Sequence, residues 1–390
     1  MKKMLLFLLT FALLLSQITA ACAEEEPEVF TSGDFTYALL EDGSAKILKY
    51  PRTNTGSVVI PDALDGHTVT CIGNRAFMDC WNLTDITLPD TVTIIEDKAF
   101  SNCINLRSFT LPDSVVSVGI NPFSGSIYME EIIVSQDHPA LAVVDGVLFS
   151  KEDQRLISCL KALPETEYAV PQGTLAIGDL AFYGCELTNI TLPDSVTSIG
   201  DGAFYSCKGL TSITFPDSVI SIGPNPLRYC DALTTIVVSP DHPALAVIDG
   251  VLFSKADKRL VCYPQALTET EYTVPQGITT IGDFAFIMCS SLESVAIPDS
   301  VTVIGYNAFC NCSGLTNVTL PDSVTAIGEY AFFRCTSLTS IAIPASVTFI
   351  GEGALFKCEK LERIIVPRNS YAAQYCQDND LPFVYSDAQN

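Results

Sequence analysis

From about Ile60 to Val366 the apolar positions return in blocks of 23 residues, clearest in LPDSVTSIGDGAFYSCKGLTSIT, Leu192 to Thr214. Within a block, LTSIT followed by Leu or Ile alternates apolar and polar positions, which predicts a short strand with one face inward. PDS predicts a turn, because Pro presets φ and Asp can bond the backbone that follows. VTSIG predicts a second short strand ending in Gly. GAFYSC predicts a compact turn that pushes Phe and Cys inward.

The spacing of these blocks is regular. An Ala-Phe pair or its variant falls at Ala76, Ala99, Pro122, Ala181, Ala203, Pro226, Ala285, Ala308, Ala331 and Ala354. The steps are 23, 23, 59, 22, 23, 59, 23, 23 and 23, so ten units fall in groups of three, three and four. Each long step carries 36 extra residues. A Pro closes most LTSIT-type runs, as at Pro193 and Pro321, and marks the strand end because it lacks an N–H. About six apolar side chains per unit do not offset the entropy of ordering 23 residues. Such a unit folds only in a stack with a shared core. The fold class that follows is a β-rich repeat solenoid of about ten units, with two β-meander insertions and terminal caps.

The stretch IPDSVTVIGYNAFCNCSGLTNVTLP, Ile297 to Pro321, resembles the BspA-like, treponemal-type leucine-rich-repeat family. The resemblance runs from about Phe35 to Phe383. It implies a leucine-rich-repeat arc on a bacterial exported or surface protein. It also implies adhesion to host matrix proteins such as fibronectin or fibrinogen, or to other bacteria. A repeat motif of this kind specifies a scaffold far more closely than a function.

Along the chain, residues 1–23 read as a signal peptide. Lys2 and Lys3 precede the apolar run Met4 to Leu15, and Ala21-Cys22-Ala23 is a small-x-small cleavage site. An alternative is a lipoprotein acylated at Cys22, although Thr19 stands where such signals usually carry Leu. The mature chain is expected to hold no transmembrane segment. Residues 24–59 read as an acidic leader and an N-terminal hairpin cap, with Asp42-Gly43 at the turn. The solenoid spans 60–366. VSQDHPALAVVDGVLFSKEDQRLISC at 134–159 returns as VSPDHPALAVIDGVLFSKADKRLVCY at 238–263. Each reads as a three-stranded meander, within insertions of about 134–170 and 238–274, standing off or packed along the solenoid. Residues 367–390 read as a C-terminal cap, with Ser370 capping a helix from Tyr371 to Asn379 and a strand from Pro382 to Tyr385. No wall-sorting motif of the LPxTG type and no catalytic domain are read in this sequence.

Charge and chemistry narrow the function classes. The formal net charge of −24 repels phosphate backbones, so nucleic acid is a poor partner. Many of the acids, among them Asp194, Asp217, Asp299 and Asp322, follow the strand-ending Pro and read as turn residues. The Gly-rich nonapeptide of calcium-binding solenoids is absent. Cys80, Cys103, Cys185, Cys207, Cys230, Cys289, Cys312, Cys335 and Cys358 share one repeat position, which predicts a buried thiol ladder in place of disulfides. Cys71, Cys159, Cys262, Cys310 and Cys376 lie off it. No metal, no cofactor and no catalytic residue is assigned. His138 and His242 are copies in Asp-His-Pro turns and read as structural, and no nucleophile elbow, P-loop or HExxH is present.

Binding is therefore the expected activity, on the concave face that stacked repeats create. The outward positions flanking the central Ile of LxxIxL supply the candidates Asn189, Thr191, Ser212, Thr214, Thr235, Ser294, Asn317 and Thr319. This face is small and polar and lacks aromatics. The meanders at 137–151 and 241–255 are the second candidate surface. The leading expectation is an exported non-enzymatic protein that binds macromolecules at a bacterial surface. A self-associating envelope component and a secreted hydrolase are the rivals.

Overall fold

The computed structural model describes residues 28–160 and 166–388. The export signal, the Cys22 alternative and the start of the acidic leader lie outside the described residues. The chain coils into a β-solenoid whose turns are hydrogen bonded on three sides. The LTSIT-type strands pair in parallel, as Asn317 opposite Ser340 and Thr319 opposite Ala342. The VTSIG-type strands form a second parallel ladder, with Ser198 opposite Ser221 and Ile199 opposite Ile222. On the third side the Phe309 N–H donates to Ala331 O at 2.7 Å and Phe332 to Ala354 O at 2.8 Å. Inside, the Phe of successive turns stack, with Phe286, Phe309 and Phe332 at 4.8 and 5.1 Å between centroids. Alternation thus turns one side of each short strand onto a shared apolar column.

The coil makes about 15 turns, more than the ten repeat units. The difference arises because segments outside the repeats also form turns. Gly56–Val59, Glu167–Ala169 and Glu271–Thr273 each add a strand before the first repeat of a group. Phe383–Tyr385 adds one after the last.

The meanders do not stand off the solenoid; they are part of its coil. The third strand of the first, Arg155–Cys159, pairs in parallel with Ala176–Ile177. Arg259–Cys262 of the second pairs with Thr280–Ile281. The N-terminal hairpin is the same element, because Ala45–Lys49 pairs in parallel with His67–Ile72. All three make the same closing bond: Tyr50 N–H to Ala76 O at 2.8 Å, Cys159 to Ala181 O at 2.7 Å and Tyr263 to Ala285 O at 2.8 Å. The protein is therefore three modules, each opened by a three-stranded antiparallel sheet.

The inner sheets are apolar on both faces. Leu141, Leu148 and Ile157 pack into the core of the first module. Val147, Phe149, Leu156 and Cys159, from the same sheet, pack into the core of the second. The meander is a partition between two cores. A latch accompanies it at the last repeat of each preceding module, where Asn-Pro replaces the residues leading into Phe or Leu. Pro122 and Pro226 have no N–H for the bond within the turn that Ala203 makes to Gly200 O. Asn121 and Asn225 instead accept from Phe123 and Leu227 N–H at 3.2 and 3.1 Å. Their amides donate across the boundary to Leu180 O and Phe284 O at 2.7 and 2.8 Å.

The C-terminal helix, Tyr371–Asp378, is capped by Ser370, whose Oγ accepts from Ala373 N–H at 3.1 Å. Ala372, Ala373, Tyr375 and Cys376 close the last core.

Candidate functional site

The eight candidate residues stand on LTSIT-type strands and point away from the core. Asn189 and Thr191 flank buried Ile190, and Ser212 and Thr214 flank buried Ile213. Thr235 precedes buried Ile236, and Asn317 and Thr319 flank buried Val318. Ser294 is half-buried. Their strands do not share one hydrogen-bonded sheet. Asn189 and Thr191 belong to a two-stranded sheet with Glu167–Ala169, and Ser212, Thr214 and Thr235 belong to another. Only in the third module do the strands join into one six-stranded sheet. There Ser294, Asn317 and Thr319 share a shallow depression of about 410 Å³ with Ala296, Asp299 and Pro321.

The two duplicated histidines have no free nitrogen. His138 is fully buried, its Nδ1 accepts from Ala140 and Leu141 N–H at 3.2 and 3.1 Å, and its Nε2 lies 3.1 Å from Pro112 O. His242 repeats this with Ala244, Leu245 and Pro216 O. Two backbone donors on Nδ1 place the proton on Nε2. The imidazole is a pin that holds the entry to each meander, and neither nitrogen is left for proton transfer.

The cysteine ladder performs a similar local task. Cys207, Cys230, Cys312 and Cys335 donate their thiols to the Phe O of the preceding turn, at 2.9 to 3.1 Å. Ser126 holds the ladder position in the one repeat without Cys, and its Oγ donates to Phe100 O at 3.0 Å. What the position requires is a small donor. Burial pushes the Cys80 thiol up to about 11, against a usual 9.0, and lifts Cys207 and Cys289 well above that value. These thiols stay protonated and unreactive. Among the described residues no cysteine is disulfide-bonded and no group of three metal-ligating side chains converges. No described helix is long and apolar enough to cross a membrane.

Aromatic groups absent from the LTSIT-type face lie on the turn side. Tyr183 stacks on Tyr205 at 4.9 Å, and Tyr205 meets Tyr229 at 4.9 Å. Phe284 packs on Tyr306, and Tyr330 on Phe333. Buried Arg228 lies 4.0 Å from the Phe284 ring and pairs with Asp201 at 2.9 Å. This column was legible: Tyr183, Tyr205, Phe333 and Phe356 each directly follow an Ala-Phe or Ala-Leu marker.

The repeat pattern described as BspA type leucine rich repeat region (6 copies) matches residues 54–150, 159–271 and 261–379. The chain belongs to this family. A leucine rich cell surface protein from Faecalibacterium prausnitzii A2-165 is similar at 30% identity, over 90% of this chain and 98% of that one, with a TM-score of 0.51. The pneumococcal vaccine antigen PcpA is similar at 20% identity, over 87% of this chain and 82% of that one, with a TM-score of 0.50. The latter likeness is one of fold. No curated protein matches the chain. The members of the BspA-type family are repeat scaffolds, and the three matched stretches of this one fall close to its three modules.

Proposed function

We propose that this BspA-type protein is exported, has no catalytic activity, and mediates protein–protein interaction or adhesion at a bacterial cell surface. The observation that carries this reading is the depression on the third module's continuous sheet, where Ser294, Asn317 and Thr319 share one surface. Its strands are paired on both sides, so a partner would meet a face of small hydroxyl and amide side chains. The cell-surface relative that resembles it over nearly the whole chain supports the location. The partners implied are host matrix proteins or other surface proteins.

The test is binding of the purified protein to arrays of matrix proteins and bacterial surface proteins, beside two double variants. Saturable binding lost in S294K/N317K and kept in S212K/T214K places the partner on the third module. Binding unchanged in both variants removes this face from the reading.

A second reading is self-association in an envelope assembly. It is favoured by the exposed apolar side chains Val116 and Ile220, which occupy one outward position beside the VTSIG-type ladder, and Phe349, one repeat position further along. A concentration-dependent rise in scattering mass, lost in I220D, supports it; a strict monomer counts against it.

A further inference from the structure

The turn side of the third module holds a second depression, of about 550 Å³, lined by Asn311, Ser313, Arg334, Thr336, Lys357 and Glu359. It lies on a different side of the coil from the LTSIT-type face. We propose that it binds an acidic sugar bearing a single carboxylate, carried on an otherwise neutral glycan.

The repeat puts two cations side by side. Arg334 N–H donates to Phe356 O at 2.9 Å, so Arg334 and Lys357 sit on adjacent turns, about 4.8 Å apart along the coil. Both residues have positive φ, 58° and 59°, and so does Asn311 at 59°, which aims the three side chains outward in one line. Arg334 Cζ lies 5.4 Å and Lys357 Nζ 5.7 Å from the centroid of the same Phe333 ring. The ring holds both cations in place. Among the described residues neither forms an ion pair, whereas Lys46, Arg52, Arg107, Arg155, Arg228 and Arg259 all do. Two unpaired positive charges against one ring repel each other, and an oxyanion between them removes that repulsion.

The rest of the groove selects among anions. A chain of net charge −24 repels any dense polyanion, so nucleic acid, heparin-like chains and acidic peptides are disfavoured. An isolated carboxylate is tolerated. Ser313 and Thr336 hydroxyls and the Asn311 amide suit the hydroxyls of a sugar ring. Glu359 opposes a second negative charge at the rim.

Titration of the full chain with sialyllactose, lactose and a heparin fragment tests this. Saturable binding of sialyllactose is expected, with none for lactose and weaker binding for heparin. R334Q/K357Q is expected to weaken sialyllactose binding by about tenfold or more, because two charge-assisted contacts are lost. Its melting temperature should match the parent's, since both side chains are exposed. Glu359→Gln, which keeps the shape and removes the opposing charge, should tighten binding. No saturation with sialyllactose overturns the proposal. So does equal binding of lactose, tighter binding of heparin, binding within twofold of the parent in R334Q/K357Q, or weaker binding in Glu359→Gln. These outcomes are independent of whether the LTSIT-type face binds a protein.

Discussion

The N-terminal hairpin and the two internal meanders are one structure placed in two settings. Val29 opposes Ala38 in the first as Leu141 opposes Ser150 in the second. Tyr37 opposes Ile47 as Phe149 opposes Leu156, and both sheets shift register one residue earlier. Their inner faces do the same work, with Phe35, Tyr37 and Ile47 entering a core as Val147, Phe149 and Leu156 do. Their outer faces differ. Val29 is 55% exposed, whereas its counterpart Leu141 is 1% exposed. Thr36 stands where the meander has buried Leu148. Both keep a cation at the same place, Lys46 pairing with Glu96 at 2.6 Å and Arg155 with Asp153 at 2.9 Å. The same sheet ends a solenoid when one face is polar and joins two solenoids when both faces are apolar.

The largest test of this difference is a charge on the outer face. Leu148→Asp or Leu252→Asp buries a carboxylate between two cores and should cost about 4 kcal/mol or more, enough to uncouple adjacent modules in denaturant unfolding. Thr36→Asp, on the matching face of the hairpin, should cost under about 0.5 kcal/mol. Equal costs would mean that the meander is not a partition.

The latch comes next. Asn225→Ala removes an acceptor for Leu227 N–H and the donor to Phe284 O. The expected loss is about 1–3 kcal/mol, concentrated in the coupling of the second and third modules. Hydrogen exchange localised to residues near the boundary would show it.

Alkaline pH compares cap and partition through their thiols. Cys80 lies one turn above the cap, with its thiol raised by burial to about 11. Cys262 lies in the second partition, fully buried and raised further. In the unfolded chain these thiols ionise near 9, so that state loses protons first. Stability is fully present below about pH 9 and falls as pH rises from there toward the folded values. Cys80→Ser should flatten the first part of that fall, because Ser does not titrate and serves the same position at Ser126. An unchanged profile would assign the loss to other groups.

A further test separates matching apolar positions. Val29→Thr should lie within about 0.5 kcal/mol of the parent. Leu141→Thr should cost about 2–4 kcal/mol.

Much of this architecture could be read from residue spacing. A stack of 23-residue turns puts residue i beside i+23, so periodicity along the chain is proximity in space. That rule places the Cys ladder, the Phe column, both strand types and the outward candidates on LxxIxL without any coordinates. The separate duplication of the insertions exposes the doubled Asp-His-Pro turns at His138 and His242. The 23-residue rule fails where the period breaks. The run Val147-Leu148-Phe149 is apolar without alternation, which marks two buried faces, but nothing in it names the second core. The sheet breaks that separate Asn189 and Thr191 from Ser212 and Thr214 have no signal in the spacing of those strands.

By itself the sequence determined the coil, its handful of inward columns and the thiol that closes each turn, because those contacts recur at one short separation. Tertiary structure alone decided that the meanders divide three cores, that Asn121 and Asn225 reach across the next insertion, and that Arg334 and Lys357 meet on one ring. The reason is physical. Periodic contacts are repeated many times and each copy corroborates the others. A boundary contact happens once or twice, between residues 59 apart in the case of Asn121 and Leu180, and depends on which surface arrives opposite.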